Sequence, residues 1–328
     1  MATGFFPLAR HLALAYAIDC LLRRGYDRVP PNSIRFNFDA SQRLKAFRSR
    51  SASSPTHPHR DRPRSLGASL LADPGSGKSR SVTQILQTYP QVIRHRFPEH
   101  HDAPFTQVTY CYVHVPGDAS LRALCARFVR QMDDALGTQY AASERVDKRT
   151  ASYLEDLMAE LAVNHALGLL VLDDVHHIRA GYSGGRLALK DSLAQFTDKL
   201  GIPILLCGIP RTEELLDSEA YLKRRFSAYR VRWSAVSADV PPSDDKKRVP
   251  NSPPNISDWD RYTDFVWPFK TTAHAQALTP DIRARWHSLS GGNIHTANEL
   301  FIQSVSTGLL TGKERVGLPL VTAPPKTP

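Results

Sequence analysis

Cysteine is scarce in this chain: Cys20, Cys111, Cys125 and Cys207 are the only four in 328 residues. No two stand as C-x-x-C and none joins histidines at zinc-ligand spacing. That argues against a disulfide scaffold and a structural zinc module, and predicts buried thiols in a reducing cytoplasm. Acid is also in short supply. Against 42 Lys and Arg there are 32 Asp and Glu, a formal net charge of +10. Such a surplus points to a polyanionic partner, nucleic acid first, and its plain alternative is solubility charge. Long apolar runs are missing as well. The most apolar N-terminal stretch, Phe5–Leu22, is interrupted by Arg10, His11 and Asp19, and no charged segment precedes it. An amphipathic helix is expected there, through Leu8, Leu12, Tyr16, Ile18, Leu21 and Leu22 and closed by Arg23-Arg24-Gly25, rather than an export signal or a membrane span. No internal repeat is evident. With 41% hydrophobic residues, the length suits one large domain or two ordinary ones around a sizeable core.

What is present is a phosphate-binding loop. Residues 72–79 read Ala72-Asp73-Pro74-Gly75-Ser76-Gly77-Lys78-Ser79, of the form [A/G]-x-x-x-x-G-K-S, with Ala72 where Gly is commoner. Its glycines let the backbone turn tightly, so that successive N–H groups converge on phosphate oxygens. Lys78 adds a positive charge for the terminal phosphates, and Ser79 offers a hydroxyl to Mg²⁺. The apolar run Leu66–Leu71 before it and the helical stretch Ser79–Gln87 after it give the strand–loop–helix context that separates a nucleotide site from a surface turn. The expected nucleotide contacts are Asp73, Pro74, Gly75, Ser76, Gly77, Lys78, Ser79 and Arg80.

Around this loop the chain is expected to fall into five parts. Residues 1–65 hold the first helix and a basic, Ser/Pro/His-rich segment at 41–64. Residues 66–238 form an α/β nucleotide-binding core, 239–255 a linker, 256–315 a small helical lid, and 316–328 a Pro-rich disordered tail. Within the core, Gln107–Val115 reads as one strand. Ala119–Leu136, Thr150–His165 and Leu187–Leu200 read as helices. Gly168–Asp173 and Ile202–Cys207 are short apolar runs typical of strands buried on both faces. Arg211–Leu216 and Glu219–Ser227 read as short helices before the strand Tyr229–Trp233. Strand–helix alternation implies a parallel sheet with ligands at the carboxyl ends of its strands. In the lid, Ser257–Val266, Pro280–Leu289 and Asn293–Leu309 read as helices.

A phosphate loop needs an acid on a neighbouring strand, and Leu169-Leu170-Val171-Leu172-Asp173-Asp174 supplies the Walker B pattern. Asp173 is the candidate for orienting Mg²⁺. Asp174 stands where a catalytic glutamate usually polarises the attacking water. Being one methylene shorter, it predicts slow hydrolysis with intact binding, because misplacement by about 1 Å can cost roughly a hundredfold in rate. Arg224 and Arg225 are candidates for an arginine that completes a neighbouring subunit's site, or for a solvated basic helix end. Ile209 occupies the place of a polar γ-phosphate sensor and cannot act as one. His295, after Gly291-Gly292-Asn293-Ile294, either reaches the phosphates or is structural.

Taken with Thr88-Tyr89-Pro90-Gln91-Val92-Ile93, His165–Asp174, Gly201-Ile202-Pro203 and Ser290-Gly291-Gly292-Asn293, these motifs resemble the TnsC/TniB family, AAA+ ATPase regulators of DNA transposition that include those of CRISPR-associated transposons. The resemblance runs from about Leu12 to Leu310. It implies an AAA+ P-loop NTPase fold, a parallel sheet flanked by helices with a C-terminal helical lid. ATP and Mg²⁺ are the implied ligands. It also implies self-assembly as a ring or helical filament, hexameric or heptameric, around double-stranded DNA in the bacterial cytoplasm, at the nucleoid and not at a membrane. The implied partners are a target selector of the TniQ/TnsD type and a transposase of the TnsA/TnsB type. Longer relatives carry a C-terminal extension for the transposase, which this chain does not match. Two alternatives stay open: an initiator or helicase-loader type ATPase, against which the missing winged-helix pattern weighs, and an ATP-gated adaptor that never hydrolyses.

Overall fold

A computed structural model describes residues 5–26, 67–95, 105–180, 193, 202–218, 220–226, 229–239, 256–274, 276–313 and 315–316. The basic segment at 41–64, the helix expected at 187–200 apart from Leu193, the linker at 240–255 and the tail at 317–328 lie outside these residues. The chain divides into two compact units. One comprises Ala13–Ala72 and Ser79–Arg232; the other comprises Met1–Leu12, Asp73–Lys78 and Trp233–Pro328.

The first unit is built on strands β1 (Gly67–Ala72), β2 (Val92–His95), β3 (Phe105–Val108), β4 (Tyr110–His114), β5 (Leu169–Asp173), β6 (Ile204–Gly208) and β7 (Tyr229–Trp233). Five of them make one sheet in the order β4-β5-β6-β1-β7. Its registered pairs are parallel: Cys111 lies opposite Leu170, Leu170 opposite Ile204, and Ile204 opposite Gly67. Every residue of β1, β5 and β6 is buried, which is why these strands read as unbroken apolar runs instead of alternating ones. Because β1 sits between β6 and β7, the chain leaves it and returns on either side. The carboxyl ends of β1, β5 and β6 therefore lie at one edge, where a ligand binds in open α/β sheets.

The helices that flank this sheet follow from apolar spacing and capping. They include α2 (Lys78–Leu86), α3 (Leu121–Leu136), α4 (Tyr140–Ser143), α5 (Ala151–Asn164), α6 (His177–Ala180), α7 (Thr212–Asp217) and α8 (Ala220–Arg225). On α3, Leu121, Leu124, Cys125, Phe128, Val129 and Met132 form one buried stripe, packed against Leu154, Leu157, Met158 and Leu161 of α5. Ser120 caps α3 by accepting from the Ala123 N–H, and Gly137 ends it at φ 71°. Thr150 caps α5 in the same manner. The sequence reading counted the caps Thr150, Ser257 and Asn293 as first helical residues; each stands one position outside its helix.

Four expectations need correction. The first helix, α1, runs over Ala9–Tyr26, later than expected at both ends. Leu12 and Tyr16, assigned to its apolar face, are 71% and 65% exposed, while Leu14, Ala17, Ile18 and Leu21 are buried. Gly25 does not stop the helix. It permits close approach, since a Cβ there would lie 2.7 Å from the Gly168 carbonyl oxygen. The run Gln107–Val115 is two strands broken at Thr109, whose hydroxyl donates to the Pro90 carbonyl at 2.6 Å. Its first part pairs antiparallel with β2, Val92 opposite Val108, and its second joins the main sheet. β2 itself, half-exposed and carrying Arg94, had no apolar signature to betray it. Of the cysteines, Cys111, Cys125 and Cys207 are buried and Cys20 is half-buried; none forms a disulfide.

The described part of the second unit holds α9 (Asp258–Val266), α10 (Pro280–Ser290) and α11 (Ile294–Leu310). Trp259, Tyr262, Trp267, Trp286 and Phe301 are its buried centre, with Trp286 and Phe301 stacked at 5.3 Å. Within that centre the indole N–H groups are satisfied: Trp259 donates to the Arg283 carbonyl and Trp286 to the Ala297 carbonyl, each at 3.0 Å, and Trp267 to the Gln276 carbonyl at 2.9 Å; the N–H of Trp233, also buried, has no partner among the described residues. Among the described residues no helix is long and apolar enough to cross a membrane.

Candidate functional site

At the carboxyl end of β5, Asp173 is fully buried, and its carboxylate is surrounded by donors. Oδ2 accepts from the hydroxyls of Ser79 and Tyr112, and Oδ1 accepts from the Asp174 N–H at 2.8 Å. A buried carboxylate needs such partners to stay charged. Burial, and then the Asp173 charge, push the Tyr112 phenol far above the ordinary tyrosine range, so it remains a donor. Ser79 follows Lys78 on α2 and Asp173 ends a strand two places from β1. The sheet order thus brings together a hydroxyl and a carboxylate that are 94 residues apart in sequence. Both are hard oxygen donors and fit Mg²⁺, which prefers one or two carboxylates and small oxygen ligands. Ser79 and Asp173 are the residues that would hold it.

Asp174 contributes its main-chain N–H to this cluster, while its own carboxylate meets His114. Its backbone has φ 60°, a left-handed conformation that Asp and Asn tolerate better than longer side chains. Its Oδ2 lies 3.1 Å from His114 Nδ1, and its side chain is 38% exposed. His114 ends β4 and is opposite Asp173 in the parallel register. His114, Asp173 and Asp174 form a group whose ligating atoms lie within 4.8 Å of one another. Sequence reasoning missed His114 and Tyr112. The available signal was the β4–β5 pairing, which sets the end of one apolar run beside the end of the other.

The phosphate loop is described within the second unit. Gly75 and Gly77 have φ of 77° and 87°, the left-handed values a nest of N–H groups requires. The Ser76 N–H closes a turn on the Asp73 carbonyl at 3.2 Å, and Lys78 Nζ donates to that carbonyl at 3.1 Å. The buried Ser76 hydroxyl has no hydrogen-bond partner among the described residues, as expected of a group whose acceptor arrives with a ligand. Arg80 is exposed on α2. His295 does not aim at the loop through its ring: Nε2 lies 3.2 Å from Glu299, while its main-chain N–H donates to the Gly75 carbonyl at 3.0 Å. On α8, Arg224 is exposed and Arg225 buried. Among the basic residues of the core, which are the candidates for facing DNA, Arg122 donates to the carbonyls of Arg149 and Asp147, and Arg127 to that of His114 at 3.0 Å. The Arg179 side chain and Lys190 lie outside the described residues.

This loop, this strand order and this buried acid are decisive together. Residues 65–216 match the AAA domain family. The match spans β1 through nearly all of α7, and the fold is that of an AAA+ P-loop protein with a helical C-terminal region. The chain is similar in structure to the Aeropyrum pernix Orc1 protein in complex with DNA, with a TM-score of 0.51 at 12% identity, covering 90% of this chain and 66% of that one. It is also similar to Cdc6p from Pyrobaculum aerophilum, with a TM-score of 0.47 at 17% identity, covering 83% of this chain and 67% of that one. Only the AAA+ fold follows from such identities. A search of curated proteins finds no match.

Proposed function

We propose that this chain is an ATP-dependent DNA-binding regulator of transposition that hydrolyses ATP slowly. ATP-bound copies assemble on target duplex and link a TniQ/TnsD-type target selector to a TnsA/TnsB-type transposase. The observation that carries the nucleotide part of this reading is the pairing of Ser79 with the fully buried Asp173. A carboxylate is costly to bury without partners, and here three donors surround it, one of them the hydroxyl that follows the loop lysine. Lys78 binds the terminal phosphates and the loop N–H groups cradle them. Bound Mg²⁺ supplies charge neutralisation on the phosphates. Asp174 orients the attacking water, and its short reach keeps turnover slow. Arg224 is the better placed of the two arginines to complete a neighbour's site, being exposed where Arg225 is buried. The net charge of +10 supports a duplex partner gripped through its phosphates.

The transposition role rests on the sequence resemblance. An initiator-type ATPase shares the fold, as the likeness to the DNA-bound Orc1 illustrates. Two measurements separate the parts of the reading. Lys78→Ala is expected to abolish ATP binding while leaving the melting temperature near wild type; ATP binding undiminished by that change would end the nucleotide reading. Electron micrographs of the chain with ATP at low salt should show rings or filaments only when duplex is added, and salt should dissolve them steeply. A monomer under all these conditions removes the assembly reading.

A further inference from the structure

Three successive carbonyls of the phosphate loop are fastened from outside the loop. Asn293 Nδ2 donates to Pro74 at 2.8 Å, the His295 N–H to Gly75 at 3.0 Å, and Arg10 to Ser76 at 3.0 Å. All of these residues belong to the second compact unit. We propose that Arg10 and Asn293 are positioning residues that hold the loop in its phosphate-receiving shape before any nucleotide arrives; this rests on the nucleotide reading given above. The reason is the geometry of the peptide unit. In a planar trans peptide the C=O and the following N–H point in opposite directions. No described peptide bond in the chain is cis. Fixing the carbonyls of residues 74 and 76 on one side aims the N–H groups of Gly75 and Gly77 to the other. Preorganised donors bind an anion without first losing conformational freedom.

Both side chains are built for the task. Asn293 works with both ends of its amide. Oδ1 caps α11, accepting from the N–H groups of His295 at 3.0 Å and Thr296 at 3.3 Å, which leaves Nδ2 to meet the loop. The orientation is unambiguous, because Pro74 O can only accept and the helix N–H groups can only donate. Arg10 reaches Ser234 O at 3.3 Å with its other terminal nitrogen and lies 4.7 Å over the Trp233 ring. That stacking holds the guanidinium plane in place. Gly75 shows how close the approach is: a Cβ there would lie 2.7 Å from Asn293 Oδ1 and 2.9 Å from His295 Cβ. The buried, unpartnered Ser76 hydroxyl lies in the same loop.

The test uses the full chain and three variants. Asn293→Asp keeps an oxygen for the helix cap but sets a second acceptor against Pro74 O. Arg10→Ala removes the strap on Ser76. Thr279→Ala is the control: it removes the cap of α10, which accepts from the Ile282 N–H, and so destabilises a helix of the same unit without touching any of the three loop carbonyl contacts. By titration calorimetry, Asn293→Asp and Arg10→Ala should each bind ATP about five- to tenfold more weakly, the usual worth of one hydrogen bond. In nucleotide-free protein, amide exchange at Ser76 and Gly77 should quicken in those two and stay unchanged in Thr279→Ala. Wild-type exchange and affinity in both strap variants overturn the proposal, as does an equal loss in the control. If the intact chain binds no ATP, the nucleotide reading falls, and the exchange comparison still decides whether the straps order the loop.

Discussion

Tyr112→Phe is the sharpest probe of the acid on which the nucleotide reading depends. The change removes one oxygen and leaves the ring, which packs edge-on to His114 at 5.2 Å. Asp173 loses one of three donors: the Ser79 hydroxyl and the Asp174 N–H remain on a carboxylate that is 0% exposed. A hydrogen bond to a carboxylate contributes about 1.5–3 kcal/mol. In a domain of this size about 1 kcal/mol moves the melting temperature by roughly 2–4 °C, so a loss near 2 kcal/mol lowers it by about 4–8 °C. The assay is calorimetric melting of wild type and variant, first with chelator and then with Mg²⁺ and ATP. With chelator the full difference should appear. With Mg-ATP it should shrink, because a cation held by Asp173 supplies the charge stabilisation that the phenol gave up. A variant that melts within about 1 °C of wild type in chelator would show that the Tyr112 hydroxyl does not stabilise the buried Asp173 side chain. A difference that grows with Mg-ATP would show that the cation does not sit on this carboxylate.

Asp174→Glu restores the missing methylene and should raise single-turnover ATP hydrolysis, by up to about a hundredfold if reach alone limits the rate. It should also cost some stability, since residue 174 has φ 60° and Glu tolerates that conformation less well than Asp; a rate no higher than wild type would refute the reach argument. Tyr26, whose hydroxyl donates to the Ala166 carbonyl at 2.8 Å, has its phenol pushed by burial up to about 12. Its proton is therefore kept in the folded state after the unfolded chain has released it near pH 10. The associated stability is complete below about pH 10 and is lost as pH rises toward 12, at about 1.4 kcal/mol per unit. Urea unfolding of Tyr26→Phe should show a shallower alkaline decline than wild type; parallel profiles would contradict the assignment.

The sequence alone determined the parts of this protein whose physics is local. The phosphate loop was legible because glycines at 75 and 77 are needed for φ values of 77° and 87°, and because lysine and serine follow at fixed spacing. β5 and β6 were legible because strands covered on both faces must be apolar throughout. α3 and α5 were legible from their apolar spacing. What the sequence left hidden was every contact whose partner is remote. Thr109 breaks an apparently single strand because one half finds β2 and the other finds β5, a choice that alternation along one strand cannot encode. Leu12 and Tyr16 fit a helical spacing, yet packing buried the adjacent face through Leu14 and Ile18. Tyr112 and His114 read as ordinary strand residues until the parallel register set them beside Asp173 and Asp174. Arg10 and Asn293 lie 66 and 219 residues from the loop carbonyls they hold. Residue types and spacings announce a phosphate-binding chemistry, because that chemistry is made by a continuous stretch of backbone. Only the tertiary structure decides which side chains keep that backbone and its acid in place, because hydrogen bonds depend on distance in space and not on distance along the chain.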